Sequence, residues 1–413
     1  MSLSKPLTRR IWRAVRRRWT ATLSWRDLAS GWGPVADVGV LPGDPLARLG
    51  VPADAASDSH RWVEFLGKTR YLNGAKAVVT HSIDDTTEFL PRCLDAIDGH
   101  DIKATLFVVT RAEPLITHLW PRLRQAVGNG HEIGSHSRRH PCRVPESFLF
   151  CISHMTQDEI EGSRDDIRGN TDQPYVWSFA YPCGNCSDRP FVQRKIARAG
   201  YITARAYPDE LHDGHALPDL QDYDPNPYAA RYTQVVQNGY PKRVVAGRVV
   251  AVAGRTDVPT LNGKFDEVSA SGGIYSFVSH PQMLDYGREC FYEQHLEYIG
   301  RRPDIWYVPM GPLYAYRVLR EQTAVRQIAS PGGRISFAVF NPLDAKVFNG
   351  SVTLEFRAHT PVNVFAGARS LAEGGAGPVT SWRGEYMRRA GQNLLITVQP
   401  NTVVTFRRCE KGN

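Results

Sequence analysis

Two histidines, His136 and His140, stand four residues apart in GHEIGSHSRRH, with Arg138 and Arg139 just before the second. Paired imidazoles at that spacing can converge on a metal from one face of a helix or from a strand-to-loop bend. The same spacing also occurs on ordinary solvated helix faces, so other residues have to decide. Asp84 and Asp85 are adjacent in SIDDTTE. Neighbouring acids on an extended strand point opposite ways, which suits one metal ligand and one base. A helix N-cap is the competing reading of that pair. FVSHP places His280 at a strand end, where a histidine can protonate a leaving group. One carboxylate and two imidazoles leave an open coordination position, which a hydrolytic metal needs for water.

The elements that must position these residues follow from hydrophobic periodicity. AKAVVTHSI, KATLFVVT, HEIGSHS, VWSFAYP, YITARAY, GGIYSFVSH and DIWYVP are short apolar runs that read as buried strands. Between them, TTEFLPRCLDAID, ITHLWPRLRQAVGNG, TQDEIEGSRDDIRGN, DRPFVQRKIARAG and LDYGRECFYEQHLEYIG have helical spacing. Pro91 suits a first helical turn, and Thr156 with Glu159 has capping-box spacing. Strands alternating with helices predict an α/β fold, with a parallel sheet or a βα barrel. Asp84 and Asp85, His136 and His140, the Pro182–Gly184 turn and His280 each follow a strand end. In such folds chemistry collects at the carboxyl ends of the strands, so the clusters are expected on one rim.

The rest of the chain divides by pattern. Residues 1–30 form a basic amphipathic tail and residues 31–70 an irregular lead-in rich in Gly, Pro, Asp and Ala. Residues 71–325 form the α/β catalytic domain. Over residues 326–413 alternating runs such as GRISFAVFNP and NGSVTLEFRA, with no helix between them, predict a small antiparallel β-sandwich. That sandwich is read as a cap on the catalytic domain rather than a carbohydrate module.

Charge sets further bounds. The net charge is +8, and residues 1–18 carry seven Lys and Arg and no acid, so the body is near neutral. A nucleic-acid binder is therefore not expected. Ile11, Val15, Trp19 and Leu23 would line one face of a helix in the tail, opposite its arginines. That pattern suits peripheral contact of residues 5–25 with an anionic membrane; a basic tail or a helix docked on the body is the alternative. The seven cysteines are odd in number and irregularly spaced, so no disulfide framework is expected. Cys183-Gly-Asn-Cys186 alone reads as a redox pair or half a zinc site, with Cys142 and Cys151 as the other half, or as part of a disulfide among these four.

Taken together, SIDDT, HSRRH inside GHEIGSHSRRHP, FAYPCG and FVSH resemble the motifs of the polysaccharide deacetylases, the NodB homology domain of carbohydrate esterase family 4. Their order and spacing agree over roughly residues 75–310. The resemblance implies a distorted (β/α) barrel. It implies that Asp85, His136 and His140 bind a divalent metal, zinc by expectation, while Asp84 takes a proton from the attacking water. His280 would protonate the departing amine, and the backbone N–H of Cys183 would help hold the oxyanion. The implied activity is metal-dependent removal of N-acetyl groups from amino sugars of a polysaccharide, oligosaccharide or glycolipid. An amidase acting on a non-sugar C–N bond and a non-catalytic glycan-binding relative are the alternatives.

Four departures from the family pattern stand out. Thr86 occupies a glycine position, Ala180 an arginine position and Cys183 a tyrosine position, and the acidic fourth motif is not recognisable. Arg205 is a candidate replacement for the arginine. Asp209, Asp213, Asp219, Asp222 and Asp224 are candidate partners for His280. With no leader pattern in the sequence, the expected location is the cytoplasm, at the inner membrane face.

Overall fold

The structure, a computed structural model, describes residues 62–143, 146–207, 222–238, 243–245, 248–250, 256–328, 333–374 and 384–409. The proposed membrane contact of residues 5–25 lies outside the described residues, as do Asp209, Asp213 and Asp219.

The strands in chain order are β1 (Val63–Lys68), β2 (Ala77–Asp84), β3 (Ala104–Val108), β4 (Glu132–Ser135), β5 (Ser178–Ala180), β6 (Thr203–Arg205), β7 (Gln234–Val235), the hairpin β8 (Arg243–Val245) and β9 (Arg248–Val250), β10 (Ile274–Ser279) and β11 (Ile305–Tyr307). The second part of the chain adds β12 (Ala324–Ile328), β13 (Arg334–Phe340), β14 (Val352–Ala358), β15 (Val362–Ala366), β16 (Arg369–Ser370), β17 (Tyr386–Ala390), β18 (Asn393–Val398) and β19 (Thr402–Arg408). The helices are α1 (Leu90–Gly99), α2 (Leu115–Gly128), α3 (Phe148–His154), α4 (Ser163–Asn170), α5 (Pro190–Arg198), α6 (Val258–Ala270), α7 (Phe291–Ile299) and α8 (Met310–Gln322).

Eight parallel strands make the central sheet, in the order β6-β5-β4-β3-β2-β10-β7, with β11 also pairing with β2. Ala230 bridges Arg205 on one edge, and Gln234 and Val235 pair with Phe277 and Val278 of β10. One short segment therefore touches both ends of the sheet and curls it into a distorted barrel. The alternation in β2 sets which side chains face inward. Val79 and Ile83 pack in the core beneath the outer helices, whereas Val78 belongs to the core that includes Phe107, Trp177 and Trp306. Burying one such apolar side chain contributes about 1.5–3 kcal/mol, so a one-residue slip that exchanged the two faces would be strongly disfavoured. That register leaves Asp84 buried at the end of β2, on the same face as Val78.

The C-terminal strands form two antiparallel sheets packed face to face, β1-β14-β18-β17 and β12-β13-β19-β15-β16. Their shared core includes Phe337, Phe356, Ile396 and Phe406. The first sheet borrows β1 from the segment read as an irregular lead-in, pairing from Val63 with Ala358 to Lys68 with Leu354 across a bulge between Phe65 and Gly67. Weak local patterning hid this strand because its partner lies almost three hundred residues away. Trp177 donates its indole N–H to Val347 O at 2.9 Å, seating the sandwich against the barrel.

Candidate active site

Asp84 ends β2, and the next residue, Asp85, has φ of 76°. This left-handed step swings Asp85 back toward the rim occupied by Asp84, so the two acids share one site instead of pointing apart as a continued strand would dictate. The turn therefore places its unusual conformation on Asp85 and needs no glycine at Thr86. Thr86 instead clamps the end of β3: its hydroxyl donates to Val109 O at 3.2 Å and accepts from Val109 N at 2.9 Å.

The histidines lie on a strand-to-loop bend after β4. Ser137 and His140 both have positive φ, 64° and 56°, and the imidazole rings meet edge to face with centroids 4.7 Å apart. His136 Nδ1 donates to Ala180 O at 2.9 Å, which leaves Nε2 facing the acids. Asp85 Oδ1 lies 3.7 Å from His136 Nε2 and 3.5 Å from His140 Nε2. Asp84 Oδ2 lies 4.0 Å from His136 Nε2 and 3.9 Å from His280 Nε2.

The two arginines of HSRRH serve this bend. Arg138 grips Asp166 of α4 with Nε and Nη2, both at 2.9 Å, and Arg139 reaches Asp158 and Glu159 at 2.8 and 2.7 Å. The backbone N–H groups of Arg138 and Arg139 both donate to Glu159 Oε2 at 2.9 Å. Thr156 accepts from Glu159 N at 3.3 Å, half of the expected capping box. The Glu159 carboxylate holds the histidine loop, and a π-helical turn at Asp158–Gly162 precedes α4.

Arg205 ends β6 and donates to Asp84 Oδ2; the two side chains are 1% and 3% exposed. Its guanidinium also lies near the faces of Phe107, Tyr207 and Tyr232. Ala180, in the family's arginine position, is the direct neighbour of Arg205 across β5 and β6. The cation has moved one strand over while still reaching the carboxylate.

His280 Nδ1 donates to Gln237 Oε1 at 2.7 Å, with both residues buried. Neither described acid among the expected partners does this. Asp222 pairs with Arg70 at 3.1 Å, and Asp224 accepts from Arg231 Nε at 2.9 Å. Both acids are committed to basic residues elsewhere, and Gln237, just beyond β7, is carried to His280 by the pairing of β7 with β10. Gln282, two residues beyond His280, donates to Asp85 Oδ2 at 3.0 Å. Neither glutamine stood out in the sequence, because an isolated amide has no diagnostic spacing.

Cys183 sits in the 3-10 turn Pro182–Gly184 with φ of 52°. It is joined to Cys142, and Cys186 to Cys151, so two disulfides tie this turn to the stretch that follows His140. The expectation of no disulfide framework and the redox-pair and zinc readings of the CxxC are corrected. The two cysteines of the motif take separate partners, Cys142 and Cys151, instead of each other. The role expected of Cys183 uses its backbone N–H, which a disulfide leaves intact.

The electrostatics favour ligand forms. Burial pushes the His140 imidazole down to about 4, with His136 adding to the effect, so it is neutral near pH 7. Burial also lowers His280, against the pull of Asp84 and Asp85. Burial tends to raise Asp85, but His136, His280, His140 and the Gln282 hydrogen bond together hold its carboxyl below the usual range. Ligand atoms of Asp85, His136 and His140 all lie within 4.8 Å of one another. Donors bound at about 2 Å to one tetrahedral ion would be separated by about 3.3 Å, so this trio fits a small divalent metal after slight contraction. Asp84 Oδ1 is buried with no hydrogen-bond partner among the described residues.

Residues 72–203 match the family model described as polysaccharide deacetylase. No curated protein matches the sequence. Among solved structures, the chain is similar to a family 4 carbohydrate esterase from Streptomyces lividans in complex with acetate, at 13% identity, covering 55% of this chain and 86% of that one, with a TM-score of 0.32. A polysaccharide deacetylase from Bacillus cereus gives 12% identity, 54% and 86% coverage and a TM-score of 0.34. A mutant family 4 pseudoenzyme with restored enzymatic activity gives 19% identity and a TM-score of 0.30; the match covers 53% of this chain and 60% of that one. The segment that matches the polysaccharide deacetylase family model, residues 72–203, holds both aspartates, both loop histidines and the Cys183 turn.

Proposed function

We propose that this protein is a metal-dependent deacetylase that removes N-acetyl groups from amino sugars of a glycan or glycolipid. The observation that carries the reading is the convergence of Asp85, His136 and His140 beside Asp84 and His280. A divalent metal held by that trio, zinc by expectation, would polarise the acyl carbonyl and acidify water at the site.

The chain's own residues do the rest. Asp84, paired with Arg205, accepts a proton from the attacking water. The Cys183 backbone N–H donates to the oxygen on which charge develops. Gln237 fixes the His280 proton on Nδ1, so that Nε2 faces the site and, once protonated, passes its proton to the departing amine. Because Gln237 is neutral, it stabilises an imidazolium less than a carboxylate would. Gln282 keeps Asp85 in place for the metal, and the Arg138–Asp166 pair does so for the histidine loop.

Location belongs to the same proposal. The two disulfides favour an oxidising compartment over the cytoplasm expected from sequence.

The first test is metal content. Wild-type protein purified without added metal and then supplied with zinc should hold close to one ion per chain, and His136→Ala should hold none. Acetate release from acetylated amino sugars should then be present in the first and absent in the second. A wild-type protein that binds no metal under these conditions would favour the non-catalytic glycan-binding reading.

A further inference from the structure

Among the described residues, the three most exposed large apolar side chains lie on one short helix. On α3, Phe148 is 43% exposed, Leu149 74% and Ile152 46%. The opposite face of the helix is buried through Phe150 and Cys151. A helix so short has no need of three large apolar groups in water, and contiguous exposure of this kind marks a contact surface.

Its position is informative. α3 lies in the connection between β4 and α4, which leaves the carboxyl end of β4 beside His136. Cys151 ties it to Cys186, and Glu146, just before it, accepts from Arg189 at 3.2 Å. Arg143 N donates to Asn185 Oδ1 at 2.7 Å. Phe148 packs edge to face on Phe191 in the first turn of α5, centroids 5.5 Å apart. The patch is thus bolted to the rim that carries the candidate site.

Its chemistry selects a partner. Sugar platforms use open aromatic faces, whereas the two most exposed groups here, Leu149 and Ile152, are branched aliphatics. Half-buried Lys195 lies 5.8 Å from the Phe191 ring and donates to Met155 O, and Arg143, five residues before Phe148, is exposed. The nearby acids Glu146 and Asp188 are both paired with Arg189. Exposed aliphatic side chains on a segment that also carries an exposed arginine suit the interface of an anionic bilayer, with the chains in the acyl boundary and the cation at the headgroups. The seven positive charges of residues 1–18 would add attraction of the same sign.

We infer that the exposed face of α3 is an interfacial anchor that seats the rim of the candidate site on an anionic phospholipid bilayer. This does not rest on the deacetylase reading, because binding is read without any substrate. The full chain is sedimented with vesicles of phosphatidylcholine alone and of phosphatidylcholine with one third phosphatidylglycerol. Wild type should partition onto the anionic vesicles, and the Leu149→Asp/Ile152→Asp variant should partition at least about tenfold more weakly with an unchanged melting temperature. Leu149→Trp/Ile152→Trp should bind more tightly, which keeps the test decisive if the aspartates impair folding. Equal partitioning of wild type and both variants would overturn the inference and assign any binding to the tail. Loss of retention on an insoluble acetylated glycan, with no vesicle binding by wild type, would overturn it in favour of a glycan surface.

Discussion

Arg205 and Asp84 form a buried ion pair between the last residue of β6 and the last residue of β2, 121 positions apart in sequence. The strand order puts β5, β4 and β3 between them along the sheet, so they meet only across the interior of the barrel. The pair links the closure of the barrel to the position of its candidate base. Removing one partner leaves the other charge buried and unpaired, which costs on the order of 3–5 kcal/mol. Arg205→Ala should therefore lower the melting temperature and abolish acetate release. Ala180→Arg added to Arg205→Ala should restore part of both, because position 180 pairs directly with 205. Failure of the double variant to recover either property would show that the cation must come from β6.

Gln282 gives a prediction about metal affinity that does not depend on catalysis. Its amide is the outer contact of Asp85. Partners of this kind typically change metal affinity by roughly 10–100-fold when removed. Gln282→Ala should weaken zinc binding, measured by competition with a chromophoric chelator, by about tenfold, while leaving the unfolding midpoint of the metal-free protein unchanged.

Acid should destabilise the metal-free protein. The folded pKa of His140 lies near 4, below the value near 6.5 of an unfolded chain, and that of His280 is lowered too. Between those values the unfolded state binds more protons, so stability is complete above pH 6.5 and falls as pH drops toward 4. Asp85 acts in the same direction at lower pH, because its folded pKa lies below its unfolded one. Denaturant midpoints measured across this range should decline steadily, and His140→Gln should flatten the decline.

The two disulfides should differ in reactivity. Cys142 and Cys183 are exposed, whereas Cys151 and Cys186 are fully buried. Mild dithiothreitol followed by alkylation and peptide mapping should label Cys142 and Cys183 first. Each bond closes a loop of about 40 residues, worth roughly 4 kcal/mol by chain entropy, so full reduction should lower the melting temperature markedly. Simultaneous labelling of all four cysteines would show that the exposed bond has no separate lability.

By itself, the sequence determined the alternating strands and helices, the parallel sheet and the sandwich, because burial of apolar side chains imposes periods that can be read locally. It also marked Asp84, Asp85, His136, His140 and His280, since ionisable residues at strand ends share one rim in such a fold. It raised Arg205 as a candidate without a way to choose it over other cations. What only the tertiary structure decided depends on contacts between distant segments or on single backbone torsions. β1 became a strand because β14 offered it an edge. Asp85 joined the site because its φ turned left-handed. Gln237 replaced the expected acid, and the CxxC cysteines went to separate partners, because pairing follows distance in space. A local pattern carries no information about which neighbour folding will bring.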